Sequence, residues 1–85
     1  MSEPNDRSLK IRRILKDHGR LTKDATTIDE AADLYQAGLT SHASVNVMLA
    51  LEDAFDIEFA EEMLKKSTFE SIAAIRASVV EMQGA

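Results

Sequence analysis

The stretch Ala37 to Asp56, AGLTSHASVNVMLALEDAFD, decides how the rest of the chain is read. A glycine meets a short polar run, and that run opens an amphipathic pattern. Val47, Met48, Leu51 and Phe55 recur at i, i+1, i+4 and i+8, one apolar side of an α-helix, which predicts a helix over about residues 41–55. Thr40 and Ser41 both suit its N-cap. A serine at a helix start is most often only a cap, but Ser41 differs in its company. Gly38 lets the chain turn sharply, and Thr40 can take the cap and leave the Ser41 hydroxyl free. A helix N-terminus also tolerates a phosphate ester, because its free N–H groups and dipole favour negative charge. Val45 and Leu49 form an i, i+4 pair well round from the main stripe, on the side of His42, Asn46, Glu52 and Asp53. Either this wider face is all buried, or a second apolar strip stands among acids as a contact surface.

Outward from that helix the pattern is all-α, with no strand. Leu9, Ile11, Ile14 and Leu15 among basic residues predict a first helix over about residues 7–17, ended by His18-Gly19. Residues 19–40 form a long connection with isolated apolar residues Leu21, Ile28, Leu34, Tyr35 and Leu39. Thr27 and Glu30 have capping-box spacing, so a helical turn is expected inside it. Long connections in small domains are often functional. Ile57 and Phe59 are spaced like contacts of an extended turn, and residues 60–65 read as a short third helix. Ser67 to Glu70 is a second capping box, ahead of Ile72, Ile75, Val79 and Met82, which define a last helix over about residues 68–82. Gly84 and Ala85 read as a frayed end.

The expectation is a four-helix bundle of three main helices and one short third helix with a long first loop. It forms a single domain over residues 1–85, ordered from about 7 to 82. The expected core is Ile11, Ile14, Leu15, Leu34, Val47, Met48, Leu51, Phe55, Ile57, Phe59, Ile72, Ile75 and Val79. A chain of 85 residues supports only a modest core, burying about 60–65% of its unfolded surface.

Charge is segregated. Residues 1–23 carry a balance of +4, whereas residues 24–64 hold ten acids and no Lys or Arg, within a total of −5. Such a one-signed surface favours basic partners and disfavours nucleic acid, although a charge run alone most often only solubilises. There is no cysteine, so disulfides, thiolate metal sites and cysteine nucleophiles are excluded. No apolar run approaches the ~18 residues of a membrane span, and the first ten residues lack a secretory signal's apolar core. A soluble cytoplasmic protein, without membrane insertion, is the default.

Autonomous catalysis finds little support. The glycines at 19, 38 and 84 make no phosphate loop, and His18 and His42 have no metal-ligand spacing around them. The acids lie in solvated-looking sequence, without the desolvation that raises a carboxyl pKa for general acid work. A Ser41–His42 catalyst is the weakest reading, because adjacent residues at a helix start point in different directions.

The Gly38–Ser41 spacing in register with ALEDAFDIEF, Ala50 to Phe59, resembles the acyl and peptidyl carrier proteins. The likeness runs from Leu9 to about Val80. It implies that a phosphopantetheinyl transferase moves 4′-phosphopantetheine from coenzyme A onto Ser41, and that the arm's thiol then carries cargo as a thioester. The protein itself would be a non-catalytic, monomeric carrier. Thr40, His42, Val45, Asn46, Leu49, Glu52 and Asp53 would form the face read by a loading ligase and a downstream transferase. Thr40 replaces the family's usual Asp, His42 its Leu or Met, and Ala60 a frequent Pro, which argues against a housekeeping fatty-acid carrier. The longer string from Asp33 to Phe59, with KKSTFESIAAI after it, is similar to free-standing carriers loaded with glycine or alanine by ligases related to seryl-tRNA synthetases. A carrier of specialised acyl chains, for fatty-acid or polyketide-type synthesis, and an unmodified acidic interaction module are the alternatives.

Overall fold

In a computed structural model that describes residues 4–84, three helices pack round one core: α1 (Pro4–Ile14), α2 (Ser41–Phe55) and α3 (Ile72–Met82). No strand occurs among the described residues, so the all-α class stands. The expected short third helix takes the form of two 3-10 turns, Glu61–Met63 and Lys66–Phe69. Ala85 lies outside the described residues.

Helix ends differ from the expectation for identifiable reasons. The first helix starts three residues earlier, at Pro4, and continues through Leu15–Gly19 as a widened turn of π type. The left-handed residue that stops it is Arg20, at φ 54°, whereas Gly19 is buried. Neither capping box caps a helix. Ser71, not Ser67, starts α3, its side chain accepting from the Ala74 N–H at 3.1 Å. Thr27 and Ile28 both donate their N–H groups to the Asp24 carbonyl, a turn, while the Glu30 side chain turns away to Arg76.

The core holds Ile11, Leu15, Leu34, Val47, Leu51, Ile72, Ile75 and Val79 fully buried, with Ile14, Phe55 and Phe59 nearly so. Met48 and Ile57, expected inside, are half-buried at its margin. Ala25, Ala37, Leu39, Ala43 and Phe69 complete it. Phe69 packs on Phe59 with ring centroids 5.4 Å apart.

The long connection is held by backbone and charge. Leu34 donates its N–H to the Glu70 carbonyl at 2.7 Å and accepts from the Leu39 N–H at 2.9 Å. Arg12 of α1 donates to the carbonyls of Ala25 and Ile28. Arg76 of α3 donates to the buried Ser8 hydroxyl and the Glu30 carboxylate, and the Glu30 carbonyl accepts from the Ala73 N–H. One guanidinium thus ties α1, the connection and α3.

Leu34→Ala should lose about 2–5 kcal/mol in urea unfolding, as for a fully buried leucine, whereas Leu9→Ala, on an exposed side chain, should stay within about 0.5 kcal/mol. Hydrogen bonds from Arg76 and then Ser8 hold the Glu30 carboxyl below its ordinary 4.5. A depressed folded pKa gives stability that is complete above the unfolded value and lost as pH falls through the folded one. Glu30→Gln should therefore remove about 1 kcal/mol at neutral pH, allowing for solvent at a partly exposed pair, and should flatten the loss of stability below about pH 4.5.

Candidate functional site

The site is built where the connection meets α2. Gly38 sits at φ 113°, and a Cβ there would lie 2.9 Å from the Thr22 backbone nitrogen. The turn needs glycine both for its backbone angle and for the close approach. Thr22 donates its N–H and its hydroxyl to the Ala37 carbonyl, at 2.8 and 2.9 Å, pinning the strand of chain that leads into the helix.

Thr40 is the N-cap. Its hydroxyl oxygen accepts from the Ala43 N–H at 3.0 Å. Ser41 is the first helical residue and is exposed. Its carbonyl accepts from the Ser44 hydroxyl, and its own hydroxyl has no part in the cap. The two cap candidates are thereby separated, and the free hydroxyl lies at the positive end of a helix of 15 residues.

The wider face of α2 is not buried. Val45 is 51% exposed and Leu49 53%. His42, Asn46 and Asp53 are exposed with them. Glu52 behaves differently from its neighbours: one carboxylate oxygen accepts from the Phe59 N–H at 2.9 Å, closing the turn after the helix. The left-handed Asp56 and Ile57 also donate their N–H groups to the Glu52 carbonyl. Exposed acids continue past the helix as Asp56, Glu58, Glu61 and Glu62.

A groove of about 340 Å³ opens beside Ser41, between α2 and residues 64–69. Its walls include Val45, Met48, Leu64 and Phe69, and its rim Tyr35, Lys65 and Lys66. The Lys66 ammonium lies 4.9 Å from the centre of the Tyr35 ring, and the Tyr35 hydroxyl donates to the Lys66 carbonyl at 3.3 Å. Burial, then Asp33 and Glu70, raises the Tyr35 pKa above its ordinary value, so the phenol stays a donor at neutral pH. Periodicity did not point to this groove. Its residues come from three separate segments, which only the fold brings together. Among the described residues no cluster of His, Cys, Asp or Glu could hold a metal ion.

The family described as "Phosphopantetheine attachment site" matches residues 10–75. This chain belongs to that family of carrier proteins. The sequence is 51% identical, over 69 residues, to an "Aminoacyl carrier protein" of Agrobacterium fabrum, covering 81% of this chain and 83% of the relative. Two similar structures are complexes of an engineered Bradyrhizobium japonicum glycine:[carrier protein] ligase with a carrier protein from Agrobacterium tumefaciens, one with AMP and one with ATP. Their TM-scores are 0.83 and 0.85 at 48% and 47% identity, covering 86% and 88% of this chain and 97% of the other in each case. A solution structure from Agrobacterium tumefaciens matches with a TM-score of 0.73 at 45% identity, covering 91% of this chain and 93% of that one.

The expected family and its cofactor, 4′-phosphopantetheine, are thus borne out, and the named relative falls in the aminoacyl subgroup singled out by the sequence. The residues at hand fit the group: an uncommitted, exposed hydroxyl at a helix N-terminus, with open space beside it.

The division of labour between Thr40 and Ser41 is measurable. Thr40→Ala should cost about 1 kcal/mol in thermal or urea unfolding, the usual loss of an N-cap, while Ser41→Ala should stay within about 0.5 kcal/mol.

Proposed function

We propose that this protein carries an amino acid, glycine or alanine, as a thioester on 4′-phosphopantetheine attached to Ser41. The observation that carries the assignment of Ser41 is the Thr40 cap: it satisfies the first turn of α2 and leaves the neighbouring hydroxyl exposed. In the attachment step, catalysed by a phosphopantetheinyl transferase, Ser41 Oγ loses its proton and forms the new phosphate ester. The pyrophosphate bond of coenzyme A breaks, and adenosine 3′,5′-bisphosphate leaves. The helix N-terminus then favours the phosphodiester's negative charge. When attached, the group supplies a thiol on a tether, which this cysteine-free chain lacks. Presenting the cargo asks of the chain only a firm base for the tether, supplied by Gly38, Thr22 and Leu34.

The reading face is α2. Val45 and Leu49 offer apolar contact, each contributing about 1 kcal/mol when its remaining exposed surface is covered. Asp53 and the acids after the helix attract a basic enzyme surface and speed encounter. Glu52 acts through the turn it closes rather than as a free charge. A ligase activating glycine or alanine, like the partner seen with the Agrobacterium carrier, and a downstream transferase would use this face in turn. The setting would be the cytoplasm, where coenzyme A and ATP are at hand, and the carrier would act as a monomer.

Incubation with coenzyme A and a broad-specificity phosphopantetheinyl transferase should add about 340 Da to the wild-type protein and nothing to Ser41→Ala. An unmodified wild type would overturn the assignment and favour a plain interaction module. Leu49→Glu should keep the fold, since Leu49 is exposed. It should lower loading of the holo protein by a glycine-activating ligase about tenfold, which corresponds to about 1.4 kcal/mol. Undiminished loading would remove Leu49 from the reading face.

A further inference from the structure

The groove beside Ser41 has a character that the carrier role does not explain. Its walls are apolar: Val45, Met48, Leu64 and Phe69. Its lining nevertheless includes two cations, Lys65 and Lys66, and no acid. Lys66 is exposed but tethered. Its ammonium is held over the Tyr35 ring, and Tyr35 is in turn bonded to the Lys66 carbonyl. Asp33 and Glu70 act on Tyr35 but lie outside the lining. These two lysines are also the first Lys or Arg after forty-one residues without one, and both line this groove.

We propose that the ammonium groups of Lys65 and Lys66 act as a charge filter on this groove, keeping an aminoacyl cargo's own ammonium out while leaving the groove open to neutral acyl ends. The inference rests on Ser41 being the attachment point. An α-amino thioester carries an ammonium at neutral pH. Like charges on the lining oppose its approach over a range of about 8 Å, the Debye length, and apolar walls offer it no compensating partner. A neutral end of the same size meets no such barrier and gains from covering Met48 and Leu64. The filter thus leaves a loaded aminoacyl group in solvent, accessible to the next enzyme, and lets a neutral misloaded chain fold back and hide. It gives Lys65 and Lys66 a role in which cargo is exposed, separate from the α2 face where partners dock.

The test compares glycyl and propionyl ends, which differ by an ammonium in place of a methyl. Each is attached through a stable amide analogue of the arm, transferred from the corresponding coenzyme A derivative. Methyl NMR of Val45, Met48 and Leu64 reads the groove. In the wild type the propionyl form should shift these methyls relative to the unacylated arm, and the glycyl form should not. In Lys65→Glu/Lys66→Glu the glycyl form should shift them too. Lys65→Glu alone, which keeps the Lys66–Tyr35 contact, should do so in part. Equal shifts from both ends in the wild type would overturn the filter. So would a propionyl end that leaves the methyls unmoved, or a glycyl end that stays silent in both variants, which would assign exclusion to desolvation alone. Mass spectrometry separates the two levels: a wild type that takes no arm sinks the Ser41 assignment and the filter together, whereas normal attachment with any of those methyl patterns sinks the filter only.

Discussion

The backbone of Leu34 is the constraint on which the rest of the structure depends. Its side chain is fully buried, its N–H is bonded to Glu70 just ahead of α3, and its carbonyl accepts from Leu39 just ahead of α2. A connection of some twenty residues has little secondary structure to hold it, and the entropy of closing it must be offset by burial and by satisfied backbone groups. Leu34 does both at once. Because Leu39 hangs from it, the turn at Gly38 and the cap at Thr40 have a fixed place, and so does Ser41. The exposed Ser41 hydroxyl is positioned by a leucine seven residues upstream and by the Glu70 carbonyl just ahead of α3.

Charge holds the frame elsewhere. The Arg76 guanidinium spans Ser8 and Glu30, and Arg12 holds two carbonyls of the connection. Among the described residues no buried side-chain polar atom lacks a partner. The bases of α1 and α3 therefore organise the interior edge of the loop. The acids of α2 and of the segment after it face outward, apart from Glu52, which closes the helix's own C-terminal turn. Residues read from sequence as one acidic face divide into a carboxylate that closes a turn and carboxylates left exposed. Spacing alone could not divide them, because the Phe59 N–H that claims Glu52 lies beyond the helix.

Helical periodicity made most of the fold legible. The stripe Val47, Leu51 and Phe55, with Ile72, Ile75 and Val79, is buried as its spacing requires. Helix ends were less legible, since they depend on which of several competing groups wins. Ser67 and Ser71 both precede the last helix, and Thr68 and Phe69 are drawn into the core, so the chain turns once more before α3 begins. Glu30 has capping-box spacing but a stronger partner in Arg76, forty-six residues away. The free position of Ser41 was legible because its signal is local, a glycine, a cap and a helix in sequence. The groove of Tyr35, Met48, Leu64, Lys65, Lys66 and Phe69 could not, because only the folded chain brings those residues together.

The placement of the cap on Thr40 has a consequence for how the protein is used over many rounds. The Ser41 hydroxyl takes no part in the cap, so an ester formed there would leave the bonds of the scaffold in place. Empty, armed and charged forms should share one body. Enzymes acting in turn would then tell them apart by what dangles from the scaffold, not by its shape, and would compete for it wherever they share a face.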